Sequence, residues 1–127
     1  MEFNLELPGN HFFVRSIGEQ GIRINDDYYT RPFILSPTRI VPEWPVQSVE
    51  DMDETSMQVI FQLAPEVVLV GTGDQQVFLP PEVQMYFYRN ETGFEVMTTD
   101  AACRTFNVLV SEGRQVVAAL LPPGSTK

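Results

Sequence analysis

Two apolar runs constrain this chain more than any other feature. Val67-Val68-Leu69-Val70 ends in Gly71-Thr72-Gly73, and Val116 to Leu121 is apolar throughout before Pro122-Pro123. Successive side chains of a strand point to opposite faces, so a strand without polar alternation needs cover on both sides. A central sheet enclosed by further layers satisfies that demand, and the segments around the two runs supply the layers. Asp53-Glu54 precedes Met57, Ile60, Phe61 and Ala64, which share one helical face, with Pro65 as the stop. Pro80-Pro81-Glu82 opens a second helix running to about Arg89, since proline is tolerated in a first turn. Ala101 to Glu112 reads as a third, capped by Thr99 or Asp100 and ended by Gly113, with Ala102, Phe106, Leu109 and Val110 as its apolar stripe. Phe94 to Met97 is a further strand.

The first third has a different rhythm. Phe13 and Ile17 flank Arg15 on a candidate strand, and Gly18 and Gly21 mark the turn after it. Ile22 and Ile24 alternate with Arg23 and Asn25, as a half-buried strand requires. Asp26-Asp27 is then a turn, and Phe33-Ile34-Leu35 a third strand closed by Pro37. Pro42 to Pro45 is a connection, with Trp44 expected to plug the edge of the core. The expected fold is a single three-layer α/β domain over residues 1–127: a mixed central sheet flanked by helices, preceded by an N-terminal β meander. Residues 1–8 and 123–127 read as loose ends.

Charge narrows the partners. The formal net charge is −9, and the segment from Ile40 to Tyr88 has no Lys, Arg or His. That segment holds Glu43, Glu50, Asp51, Asp53, Glu54, Glu66, Asp74 and Glu82. Affinity for nucleic acid, and for anionic membrane surfaces, rests on basic residues, so neither partner is expected. The acidic segment reads either as a solvated face or as a docking face for a basic partner. Cys103 is the only cysteine, which rules out an intramolecular disulfide and suits a reducing compartment. The N-terminal residues show no basic-then-apolar signal pattern, and no stretch approaches the ~18 apolar residues of a membrane span. A cytoplasmic protein without membrane insertion is expected.

Several segments, in fixed order, resemble a known family. They are Val68-Leu69-Val70-Gly71-Thr72-Gly73, Val96-Met97-Thr98-Thr99, Ala102 through Leu109, Glu112-Gly113-Arg114 and the closing apolar strand, with Gly21-Ile22-Arg23-Ile24 and Trp44 earlier. As a set they resemble the small bacterial and archaeal domain-of-unknown-function family related to mitochondrial complex I assembly factor 3. The resemblance implies an archaeal Mth-type α/β fold with a mixed sheet between helices. It implies no established catalytic activity and no established cofactor. The mitochondrial relative is a protein-binding factor in the assembly of respiratory complex I. The resemblance therefore favours a non-enzymatic, assembly-factor-like module with a protein partner; it leaves a monomer or a homodimer equally open.

The alternative is a small-ligand or anion-binding domain, with or without enzymatic activity, that has a cleft near Thr72, Thr98, Asn107 and Arg114. Ligands of α/β sheets sit at strand carboxyl ends, where Gly71, Thr72, Gly73 and Thr98 are expected. Against this, Gln76 stands where a dinucleotide fingerprint needs its third glycine, and Asp74 repels phosphate, so the glycines equally fit a tight turn packed on a helix. Asn107 reads either as a buried amide bonding nearby backbone or as a polar group lining the cleft. Arg114 reads either as a carboxylate or phosphate clamp or as the partner of a local acid such as Glu112. His11 and Cys103 have no ligand-like spacing, and Asp51-Met52-Asp53-Glu54 lacks a calcium-loop pattern, so no metal site is expected. Tyr86, Phe87 and Tyr88 supply more aromatic surface than one buried face needs. They suggest either a dimer contact or core packing from both sides.

Overall fold

The computed structural model describes residues 11–123. In chain order its strands are β1 (Val14–Gly18), β2 (Gly21–Ile24), β3 (Asp27–Tyr29), β4 (Phe33–Leu35), β5 (Ile40–Val41), β6 (Val67–Thr72), β7 (Gly93–Met97) and β8 (Val116–Leu121). The helices are α1 (Glu54–Phe61), α2 (Pro81–Arg89) and α3 (Thr99–Ser111), with a single 3-10 turn at Val49–Asp51. The two apolar runs, β6 and β8, lie side by side in a five-stranded sheet of order β5-β4-β8-β6-β7. β6 is parallel to both β7 and β8, whereas β4 is antiparallel to β8 and β5, so the sheet is mixed as expected.

Both faces of that sheet are covered. Val68, Val70, Val117, Ala119 and Leu121 pack with Met57 and Ile60 of α1, Val83 and Phe87 of α2, and Trp44. Leu69, Val116, Ala118 and Leu120 face the other way, onto Ala102, Phe106 and Val110 of α3 and onto Val14, Ile17, Ile22 and Ile24. Each buried Val or Leu of this kind stabilises by about 1.5–3 kcal/mol, which is why neither run contains a polar residue. Trp44 is buried, and its Nε1–H donates to the Ser56 carbonyl at 3.0 Å, tying the 42–45 connection to α1.

The helix boundaries follow from their caps. The Asp53 carboxylate accepts from the Ser56 N–H at 2.9 Å, and the Asp53 N–H donates to the Ser56 hydroxyl at 2.9 Å. This reciprocal box starts α1 where the sequence placed it. Ala64, at φ 53, ends that segment before Pro65 and is exposed rather than part of the buried face. α3 begins two residues earlier than expected. Its cap is Thr98, whose hydroxyl accepts from the Ala101 N–H at 3.3 Å, because the Thr99 side chain is turned inward to other partners. Gly113, at φ 76, ends it as expected.

The N-terminal third differs from the expectation in detail. The meander is a separate three-stranded antiparallel sheet of order β1-β2-β3. Its third strand is Asp27–Tyr29, and Phe33–Leu35 instead joins the central sheet beside β8. The hairpin turn is Asn25-Asp26, not Asp26-Asp27: Asn25 takes φ 53, the left-handed conformation that two-residue hairpin loops favour. A register shift between Val14 and Ser16 turns Val14 and Ile17 inward in place of Phe13. The Phe13 ring lies instead beneath the Arg15 guanidinium, 4.9 Å from the ring centroid. β5 and the 3-10 turn are too short to leave a periodic signal. The expected loose ends at 1–8 and beyond Pro123 lie outside the described residues, and Pro123 itself is half-buried. Among the described residues no helix is long and apolar enough to cross a membrane.

Candidate functional site

Four of the six candidate residues lie at the carboxyl ends of β6 and β7, and their polar groups serve the fold. A Cβ on Gly71 would lie 2.9 Å from both Cα and Oγ1 of Thr99, so only glycine lets α3 approach β6 this closely. Gly73, at φ 96, donates its N–H to Thr99 Oγ1 at 2.8 Å and accepts from the Thr99 N–H at 3.0 Å. Thr99 Oγ1 in turn donates to the Leu121 carbonyl. One buried hydroxyl thereby joins the ends of β6 and β8 to the start of α3. The Thr72 hydroxyl donates to the Gln75 carbonyl at 2.6 Å and accepts from the Val77 N–H at 3.3 Å, shaping the turn that follows β6.

The sequence marks Thr98 as a site candidate and Thr99 only as a possible cap, although the doublet itself carries the signal. One threonine suffices to cap a helix, so the second, next to a strand-end glycine pair, is free to bond across strands.

A depression of about 330 Å³ opens beside these residues, lined by Ile17, Gly18, Gly73, Asp74, Thr98 and Asp100. An α-helix start normally attracts anions. Here Asp100 occupies the first turn of α3, and Asp74 also lines the depression. The Arg104 guanidinium is engaged by the Asp100 carboxylate at 2.6 Å.

Asn107 lies deeper along α3 and faces β1. It is 1% exposed. Its Oδ1 accepts from the Val14 N–H at 2.8 Å, and its Nδ2 donates to the Val14 carbonyl at 2.8 Å. The amide gives Val14 the two bonds that a neighbouring strand residue would give, and so docks the three-stranded sheet on α3. Of the two sequence readings, this geometry is that of a buried amide bonding backbone.

Arg114 is at the other end of the sheet. It precedes β8, and β8 runs parallel to β6 with Val67 paired to Val116 and Thr72 to Leu121. Those two ends are about 17 Å apart at the rise of a parallel strand. Arg114 is exposed and ion-paired with Glu66, rather than with Glu112. The hydrogen bond from Arg114 to that carboxylate raises its pKa, with the Glu66 charge adding to the effect. The structure therefore brings Thr72, Gly73 and Thr98 together but places neither Asn107 nor Arg114 with them.

Cys103 is fully buried on the inner face of α3, and burial pushes its thiol pKa upward, with Asp100 adding to the shift and Arg104 opposing it. A thiol held in that state is a small apolar packing group, not a nucleophile. Among the described residues no group of three or more His, Cys, Asp or Glu is arranged to hold a metal ion.

On the opposite face of the sheet, α1 and α2 border a groove of about 410 Å³ whose lining is mixed: Met57, Phe61 and Tyr86 are joined by Glu54, Arg89 and the amides of Gln58, Gln62 and Asn90. Glu43, Glu50 and Glu54 are exposed in the segment that leads into and begins α1, and none has an ion-pair partner among the described residues.

Comparison with known proteins agrees with this fold. Residues 14–121 match the family described as protein of unknown function (DUF498/DUF598). A Xenopus tropicalis protein named NADH dehydrogenase (ubiquinone) 1 alpha subcomplex assembly factor 3 is 37% identical over 113 residues, covering 87% of this chain and 61% of that protein. The chain thus spans less than two thirds of that relative's length. A crystal structure from Bordetella parapertussis superposes with a TM-score of 0.82 at 39% identity, over 91% of this chain and 98% of that one. A solution structure from Bordetella pertussis, described as a Mth938-like domain, superposes at 0.80 with 32% identity, over 98% of this chain and 94% of that one.

Proposed function

The chain belongs to the DUF498/DUF598 family, and we propose that within it this protein is a non-enzymatic, protein-binding module that assists the assembly of a multi-subunit complex. The observation that carries the proposal is the 37% identity over 113 residues to an NADH dehydrogenase assembly factor. The site chemistry supports it from the other side. Thr72, Gly73 and Asn107 spend their polar groups on the fold, and Arg114 directs its charge to Glu66. Among the described residues, Glu43, Glu50 and Glu54 are exposed acids without an ion-pair partner, and Glu54 lines the groove between α1 and α2. Such a surface steers and orients a partner that carries Lys or Arg around an apolar anchor.

The test is isolation of the tagged protein from its own cells at physiological ionic strength. A defined protein partner is expected with the wild type, and much less of it with the E50K/E54K variant. Recovery of no partner across several growth conditions sinks the proposal. Equal recovery with the variant removes the acidic face from it while leaving the binding role.

A further inference from the structure

α2 carries two apolar faces, and the core uses one of them. Val83 and Phe87 are buried against the sheet. Pro81, Met85 and Tyr88, spaced i, i+4 and i+7, form a second, exposed stripe, with Met85 44% and Tyr88 60% exposed and the Tyr88 ring also edge-on to Phe94 of β7. Phe78, just before the helix, is 88% exposed. Scattered exposed apolar side chains are ordinary, but a contiguous stripe marks a contact surface.

The charges beside the stripe say what it contacts. Glu82 and Arg89 are both exposed, and neither has an ion-pair partner among the described residues. Seven residues apart, they fall within about 20° of each other around the helix axis, on one flank of Met85. Pro81 and Tyr88 are likewise seven apart and occupy the other flank. Met85 is central to both pairs. A two-fold axis through Met85, perpendicular to the helix, therefore sets Glu82 of one copy against Arg89 of the other, and Pro81 of one copy against Tyr88 of the other. Every contact is then made twice. This is the self-complementarity that an isologous interface requires, and a face evolved for an unrelated protein has no need of it.

We propose that the outer face of α2 joins two copies of this chain in an antiparallel, two-fold dimer centred on Met85. The dimer goes beyond the assembly role and has its own readout, the oligomeric state, although Arg89 also lines the groove that holds Glu54. Each copy carries a net charge of −9, so long-range repulsion weakens association at low ionic strength. Near physiological salt, where screening sets in over about 8 Å, the close Glu–Arg contacts survive better than the distant repulsion.

The experiment is a charge swap read by sedimentation velocity and light scattering at physiological salt and increasing protein concentration. The wild type is expected to move toward twice the 14.4 kDa of one chain. E82R alone, and R89E alone, are expected to stay monomeric at the same concentrations. Mixed in equal amounts, they are expected to associate, because the two arginines of one variant then face the two glutamates of the other. A helix merely weakened by E82R is not rescued by mixing, so rescue separates the interface from a folding defect. A wild type that remains monomeric to millimolar concentration overturns the proposal and leaves the face to a different protein. So does a wild-type dimer that both single variants retain.

Discussion

Replacing Asn107 by alanine removes the side-chain partner of two buried backbone groups. The Val14 N–H and C=O each bond the Asn107 amide at 2.8 Å, and Val14 is fully buried. A buried polar group left without a partner costs about 1–3 kcal/mol, so the pair amounts to roughly 2–6 kcal/mol before any relaxation. Water entering the vacated space recovers part of this, and a loss of at least about 2 kcal/mol is expected, a large share of the 5–15 kcal/mol typical of a domain. With a urea slope of about 2 kcal/mol/M, the midpoint falls by about 1 M or more. Trp44, the single tryptophan and buried in the core, reports the transition by fluorescence. Asn107→Asp separates hydrogen bonding from volume. It keeps the size but sets an oxygen against the Val14 carbonyl, so at neutral pH it is expected to cost at least as much as alanine. The buried aspartate favours its neutral form, which raises its folded pKa above the unfolded value of about 3.9. Its stability is therefore greatest below that unfolded value and is lost as pH rises through the folded pKa. An alanine variant that loses less than about 1 kcal/mol, or an aspartate variant indistinguishable from wild type at neutral pH, refutes the reasoning.

Two further outcomes follow from packing. Gly71→Ala puts a methyl group 2.9 Å from the Thr99 backbone and is expected to cost about 1–3 kcal/mol; Gly113→Ala, with open space around it but φ 76, is expected to cost about 1 kcal/mol. Chemical denaturation of both variants checks the order, and a Gly113 variant worse than the Gly71 variant contradicts the close-approach argument. The Cys103 thiol, buried and with its pKa raised by that burial, is expected to resist a thiol reagent at mildly alkaline pH in the folded protein and to react promptly in urea. Rapid reaction of the native protein contradicts the burial of that face of α3.

The central layer was legible because its physics is one-dimensional. A run such as Val116–Leu121 has no polar alternation, and only a doubly covered strand tolerates that. The ends of α1 and α3 were legible for a similar local reason: Asp53 ahead of the one, Gly113 behind the other. The N-terminal third was harder, since β3 and β5 span three and two residues, too few to repeat the two-residue alternation that reveals a strand. Phe33–Leu35 carried a strand signal, but nothing local could say which sheet it would join. The strand-end position marks Thr72 and Thr98 as candidates and the family resemblance marks Asn107, but the roles of such residues are set by partners distant in sequence. Asn107 bonds Val14, Arg114 pairs with Glu66, and Thr99, expected only as a cap, reaches Leu121. Only the fold shows those partners.

The assembly role is tested most directly by deleting the gene in its own organism and separating native protein complexes by size. One multi-subunit complex is expected to disappear in favour of its subassemblies while its subunits continue to be made, and the chain is expected to co-migrate with those subassemblies in the wild type. An unchanged set of complexes, with a small metabolite accumulating instead, contradicts it and points to catalysis.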